Sequence, residues 1–473
     1  MDRRTFLMTA AGGAVAALEG SFPRLAAASS KPWFDGTYSE LPTIEQQTEG
    51  LSEEAVAAQQ KPRVASGLPI TGLPTEIGPH DEQIAELVKK SGAVGVAYAI
   101  AVNRKLKVAR GVGYLSSHER LPATPTAPGY LGSITKPLCA MTALTLVREG
   151  KLQLDQKVME VSPMSPLLKP GEKRQPEIDQ VIVRMLMNHT SGLFNAVEVL
   201  FDREYYRHLA AQGKLQLVHG DISQYDLVRR GMATPFVSKP GTEFHYSGEG
   251  LQVLGRIVEK LTGQRLDFAM SARALQPLGI QHLASLGYLA PDVFAQIAAG
   301  RASKTNTFIP SPFNEAKKVC VSWASRPTED LYGQQWGQAD ACGASMLSAV
   351  NLLRFVTFCP RLLGKELSLE AFTPPKTPPY SNGLGWGVGV DKNGHHQWGH
   401  TGAIMGCRSI GESLSENVQY AVLMAGDRDA DFDKIGAAVR EYGKSLRKAD
   451  VDIGDWQAYG FPADKPSTPR ADS

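Results

Sequence analysis

Strand-like sequence sits at the two ends of this chain and helix-like sequence lies between them. Any fold must therefore bring distant segments into one layer. Ala93 to Val102 is apolar and β-rich, Asn103-Arg104-Lys105 turns the chain, and 106–113 returns it as a hairpin partner. Strand signals come back only late, in 383–390 and in a second hairpin formed by 408–414 and 418–424. A short amphipathic helix is predicted over 80–90 and another helix over 433–448. Between Leu152 and Ala339 the pattern is helical, with long loops containing Pro and Gly. Leu251, Leu254, Ile257, Val258 and Leu261 form one apolar stripe there, and 181–187 reads as a further helix. The fold class read from this is α/β (α+β): an antiparallel sheet flanked by helices, with an inserted, mostly helical domain. The α/β domain comes in two pieces, 76–150 and 340–448, and the insertion covers 151–339. Residues 29–75, rich in Pro, Gln, Glu and Ser without a period, read as a linker or arm, and 449–473 as a loose tail.

The first 28 residues read as an export signal. Arg3-Arg4-Thr5-Phe6-Leu7 precedes a short apolar run rich in Ala and Gly, and Ala26-Ala27-Ala28 supplies small residues for cleavage. The paired arginines resemble the twin-arginine type. A periplasmic or extracellular location is expected, with no stable membrane span once the signal is removed. With 50 Lys and Arg against 48 Asp and Glu, the net charge is +2, which gives no case for a nucleic-acid partner. The five cysteines, Cys139, Cys320, Cys342, Cys359 and Cys407, have neither metal-ligand nor redox spacing, so no disulfide framework is expected. The glycines Gly385, Gly387 and Gly389 are not a dinucleotide fingerprint, because no helix opens after them.

The chemistry begins at Gly132-Ser133-Ile134-Thr135-Lys136. Residues three apart on a helix are neighbours, so Ser133 and Lys136 share a face and the amine can hold or take the hydroxyl proton. A serine is a poor nucleophile until something does that. At a helix start, free N–H groups and the dipole favour developing negative charge. Taken alone the motif is weak: Ser445-Leu446-Arg447-Lys448 has the same spacing in a charged stretch.

Three further stretches give it meaning: Asn188-His189-Thr190-Ser191-Gly192-Leu193, Pro240 to Gly248 containing His245-Tyr246-Ser247-Gly248, and Gly399-His400-Thr401-Gly402-Ala403. In this order, and with Gln276-Pro277-Leu278-Gly279 after the inserted helices, residues 77 to 445 resemble the serine hydrolases of the class C β-lactamase and DD-peptidase family. The resemblance implies a β-lactamase/transpeptidase-like fold. It implies that Ser133 forms an acyl-enzyme, that Lys136 keeps the hydroxyl activated, and that Tyr246 relays a proton to the leaving group. The oxyanion hole would be the N–H groups of Ser133 and Ala403, with His400, Thr401 and Gly402 in the substrate-binding strand. No metal or other cofactor is implied. The substrate would be a small ester or amide or a peptidoglycan-like molecule.

His189 and Ser191 are expected to serve structure, His245 to point away from Tyr246, and Trp386 and Trp398 to lie in the core or pocket wall. Two departures bear on the substrate. Gly248 stands where the family usually has Asn, and His400 stands where β-lactamases usually have Lys. The first weakens a penicillin-like or peptide reading; the second is a residue that DD-peptidases and esterases of the family often carry, and its neutral imidazole anchors a substrate carboxylate less strongly than an ammonium would. An exported esterase-like or DD-peptidase-like hydrolase is the expectation, with a β-lactamase or a non-catalytic, penicillin-recognising or cell-wall-binding protein as the alternative.

Overall fold

The computed structural model describes residues 49–115, 121–162, 164, 167–168, 170–195, 224–281, 284–285, 339–374, 382–404, 407–426 and 431–462. The proposed signal and Cys320 lie outside them.

The strands in chain order are β1 (Arg63–Ala65), β2 (Leu68–Leu73), β3 (Ala93–Val102), β4 (Lys105–Gly113), β5 (Pro128–Tyr130), β6 (Ala284–Ser285), β7 (Ser345–Ser348), β8 (Gly387–Val390), β9 (His396–Ile404), β10 (Cys407–Ser413) and β11 (Val418–Gly426). Eight of them form one antiparallel sheet in the order β1-β2-β4-β3-β11-β10-β9-β8. The early and late hairpins meet at its centre, where β3 pairs with β11 and Ala99 faces Ala421. The β3–β4 hairpin closes through Asn103 and Arg104, both at positive φ (50° and 65°). Two such residues give the turn whose twist matches that of the strands. A second, three-stranded sheet runs β5-β7-β6.

Helices cover both faces: α1 (Glu53–Gln60), α2 (Pro79–Lys90), α3 (Thr135–Arg148), α4 (Val183–Met187), α5 (Gln224–Ala233), α6 (Glu249–Thr262), α7 (Ala349–Phe358) and α8 (Phe432–Ser445). The period-2 alternation of the central strands sorts residues between two cores. Val96, Tyr98 and Ile100 of β3 join Val418, Val422 and Met424 of β11 under α2 and α8. The small residues Ala97, Ala99, Ala101, Ala421 and Ala425 face the other way, toward α3, α6 and α7. Gly411 continues that smooth face: a Cβ there would stand 2.9 Å from Val356 of α7. Under the first face, buried Arg110 of β4 pairs with buried Asp81 of α2 at 3.0 Å, and the Tyr98 hydroxyl donates to Asp81 at 2.8 Å.

Two boundaries differ from the sequence reading. Part of the supposed arm, 53–73, is α1, the edge strand β1 and its neighbour β2. Ile70 and Leu73 of β2 are fully buried, and the signal is diluted by Gly67, Pro69 and Gly72. The start of the supposed loose tail also packs: Trp456 is fully buried, meets Phe358 and Phe461 edge to face, and donates to the Arg104 carbonyl at 2.8 Å. In both places tertiary burial outweighs local composition. The stretch expected to be mostly helical also supplies β6, which pairs with β7.

Candidate active site

Ser133 lies in a tight turn, Gly132–Ile134, that runs directly into α3. Pro137 falls in the first turn of that helix, where its missing N–H costs little. Ser133 is half-buried, whereas Lys136 is only 4% exposed. One helical turn brings them together: Lys136 Nζ donates to Ser133 Oγ at 3.1 Å. The same amine donates to the Cys342 carbonyl at 3.0 Å, which fixes its direction. Its described partners are thus a hydroxyl and a carbonyl, neither of them anionic.

Strand β9 meets the Gly132–Ile134 turn with almost no clearance. Gly132 has φ +50°, and a Cβ on it would stand 2.7 Å from the Ala403 nitrogen. A Cβ on Gly402 would stand 1.9 Å from the Leu131 carbonyl oxygen and 2.3 Å from Ser409 Oγ. Ser409, paired with Gly402 across β9 and β10, donates to that same carbonyl at 2.7 Å. Glycine at both positions is therefore a steric requirement for the Ala403 N–H to lie beside the turn bearing Ser133.

Tyr246 reaches the site on an extended segment just before α6. Lys136 Nζ lies 4.8 Å from the centroid of its ring, and the His189 ring centroid lies 4.6 Å from it. The Tyr246 hydroxyl makes no hydrogen bond to Ser133 here; such bonds often tighten only with substrate in place. The segment is held by the 188–193 stretch. His189, at φ +62°, accepts the His245 N–H on its carbonyl at 2.8 Å and the Ser247 N–H on Nδ1 at 3.2 Å. Gly241 N–H donates to the Thr190 carbonyl at 2.7 Å. His189 and Thr190 thus brace the segment that carries Tyr246, while Ser191 Oγ accepts the Leu193 N–H at 3.4 Å within its own turn. His245 turns outward and pairs with Glu243 at 3.1 Å.

His400 borders the cleft from β9, its ring centroid 6.2 Å from that of Tyr246. Its Nδ1 stands 2.6 Å from the Thr401 carbonyl. A carbonyl only accepts, so this hydrogen bond assigns the ring hydrogen to Nδ1 and leaves Nε2 as an acceptor. Burial, and then the charge of Lys136, hold the imidazole pKa down to about 4. His189 is likewise held well below the ordinary range, by burial first and then by Lys136 and His400. Both rings are neutral at neutral pH.

Sequence reasoning missed Asn195. Its Oδ1 accepts from Gly248 N at 3.0 Å and Glu249 N at 3.3 Å, and the Ser247 hydroxyl lies 3.2 Å away. An asparagine oxygen from a separate loop thus caps the first turn of α6 and fixes the end of the Tyr246 segment. No local spacing could have revealed a cap supplied from 53 residues away. Trp386 is core, stacked on Phe355. Trp398 is half-buried against Phe372 and donates to the Val356 carbonyl at 3.3 Å. Cys139, Cys342, Cys359 and Cys407 are all buried. Among the described residues, no three His, Cys, Asp or Glu side chains gather as a metal site.

The architecture and the sequence motifs now meet in one comparison. The family model described as Beta-lactamase matches residues 80–444. The chain belongs to the Beta-lactamase family. Within this family it is similar to the esterase EstB of Burkholderia gladioli, 30% identical over 210 residues, covering 42% of this chain and 49% of the esterase. It is also similar to the monacolin J acid methylbutanoyltransferase of Aspergillus terreus, 31% identical over 185 residues, covering 37% of this chain and 42% of that enzyme. The chain thus spans about half the length, or less, of these curated relatives. The Beta-lactamase family fold is shared with a D-stereospecific amidohydrolase from Streptomyces sp.: TM-score 0.54 at 21% identity, covering 75% of this chain and 97% of that one.

Proposed function

We propose that this protein is an exported serine hydrolase that cleaves a carboxylic ester through an acyl-enzyme on Ser133. The observation that carries the reading is the 3.1 Å contact between Lys136 Nζ and Ser133 Oγ at the start of α3. As Ser133 Oγ attacks the ester carbonyl, its proton passes to Lys136 in the neutral form, with a free lone pair, that this step requires. The carbonyl oxygen becomes an oxyanion held by the N–H groups of Ser133 and Ala403. Collapse breaks the bond to the alkoxy group, which leaves as an alcohol after taking a proton through the Tyr246 hydroxyl. Water then attacks the acyl-enzyme by the reverse route and releases the acid. The relatives named as an esterase and an acyltransferase support an acyl group as the species carried.

His400 favours an uncharged ester over a penicillin-like substrate or a peptide ending in a free carboxylate. A neutral ring presenting Nε2 as an acceptor attracts no carboxylate, whereas an ammonium at that position would. Gly248 points the same way, since it offers no side-chain amide to a substrate amide. The twin-arginine-like segment in 1–28 supports export, and among the described residues no helix is long and apolar enough to cross a membrane. We read the chain as an α/β domain in two pieces around a helical insertion, with the cleft between them.

The test is a substrate panel on purified protein: p-nitrophenyl esters of increasing acyl length, D-amino-acid amides and peptides, and nitrocefin. Turnover of esters alone is expected. Turnover of nitrocefin or D-peptides with greater kcat/KM than any ester overturns the ester assignment.

A further inference from the structure

His189 occupies a position that residues with a β-carbon take infrequently. The C-cap of α4 is Asn188, and the Thr190 N–H reaches back to the Met185 carbonyl at 3.1 Å. That bond closes a helix-ending motif whose left-handed residue is usually Gly, sometimes Asn. Here it is His189, at φ +62°. Strain of this kind clusters at active sites, where the surrounding structure holds it in place.

From that position His189 grips Tyr246 on both sides. Its carbonyl accepts the His245 N–H at 2.8 Å, and its Nδ1 accepts the Ser247 N–H at 3.2 Å. Its ring lies against the Tyr246 ring, centroids 4.6 Å apart, and meets Phe244 edge to face at 5.8 Å. Because Nδ1 accepts an N–H, the ring hydrogen is on Nε2. A charged ring would instead set an Nδ1–H against the Ser247 N–H. Burial first, then Lys136 and His400, keep the ring from charging. The base of the grip is itself fixed. The Gly385 N–H donates to the Met187 carbonyl at 3.1 Å, and a Cβ on Gly250 of α6 would stand 2.8 Å from the Leu186 carbonyl oxygen.

We propose that His189 is a positioning residue for proton transfer, aiming the Tyr246 hydroxyl by holding the backbone on either side of it and lying against its ring. The proposal rests on the roles assigned above to Ser133 and Tyr246. It accounts for a side chain at a backbone position that glycine would fill without strain.

The test is a double-mutant cycle on ester turnover by the full chain. Turnover is counted per site titrated with a fluorophosphonate, so misfolded protein does not enter. Tyr246→Phe is expected to lower kcat by about 10²–10⁴. His189→Gly keeps the left-handed backbone and deletes the ring. It should lower kcat at least about tenfold with KM little changed, since a misplacement of about 1 Å costs up to about 10²-fold. Asparagine tolerates the same φ and carries an acceptor on its γ-carbon, as histidine does, so His189→Asn should recover most of that loss. In the Tyr246→Phe background His189→Gly should cost less than about twofold more, because the group it aims is already gone. With Ser133 labelled, additive losses, an unimpaired His189→Gly, or His189→Asn no better than His189→Gly would overturn this proposal alone. A parent that takes no label on Ser133 would overturn the acyl-enzyme reading and this proposal with it.

Discussion

Gly402 and Leu131 are in contact to the limit that backbone allows: a Cβ added to Gly402 would overlap the Leu131 carbonyl oxygen at 1.9 Å. Leu131 leads into the turn that carries Ser133, and Gly402 precedes Ala403. The close approach of strand to turn is what brings the Ala403 nitrogen to the turn that carries Ser133.

Gly402→Ala therefore has to push β9 away from the turn. We expect kcat to fall by about 10²–10³, the loss typical of removing one oxyanion donor. Steady-state kinetics beside a circular-dichroism melt separates this from unfolding. An unchanged kcat would remove Ala403 from the oxyanion hole.

Lys136→Met keeps the volume of a buried side chain and deletes the amine. A drop in kcat of about 10²–10⁴ is expected, in the range of lost proton transfer, with the thermal midpoint kept or raised. Single-turnover measurement of acyl-enzyme formation checks it, because the acylation step itself should slow.

Stability should decline as pH falls from about 6.5 toward 4. The unfolded chain takes up protons on His400 and His189 in that window, while the folded protein holds both imidazoles neutral, His400 down to about 4. The unfolded state thus binds more protons, and stability rises with pH across the window. For half-buried His400 the effect is on the order of 1–2 kcal/mol after solvent screening. Urea melts from pH 4 to 8 should show this slope, reduced in His400→Asn. A flat profile would mean that the rings are not held neutral.

Asn195→Ala removes the acceptor for the N–H groups of Gly248 and Glu249. A loss of about 0.5–2 kcal/mol is expected, as for a helix cap. Because Tyr246 is two residues before Gly248, kcat should fall with KM little changed. Asn195→Asp, which keeps an acceptor at a helix N-terminus, should restore both. Equal damage from Asp and Ala would argue against capping.

The sequence made much of this arrangement legible, for reasons that differ by residue. Ser133 and Lys136 were readable because helical geometry alone fixes residues three apart. The β3–β4 hairpin was readable because Asn103 and Arg104 interrupt two β-rich runs. The approach of β9 to the turn could be inferred only by resemblance, since Gly132 and Gly402 are far apart in sequence and neither announces the other. Asn195 and the Cys342 carbonyl were invisible: one is a single polar residue in a loop, the other a backbone group with no side-chain signature. β2 and Trp456 escape a reading from composition, because polar residues and Pro around them suggest an arm and a tail where burial makes structure.

The central claim is that Ser133 carries the acyl group, and intact-protein mass spectrometry with a fluorophosphonate, followed by peptide mapping and paired with kinetics of Ser133→Ala, tests it most directly. The account predicts one adduct, on Ser133, absent in the variant, with kcat on esters reduced by up to about 10⁶. A variant that keeps more than about one per cent of turnover, or an adduct mapped to another residue, would contradict it.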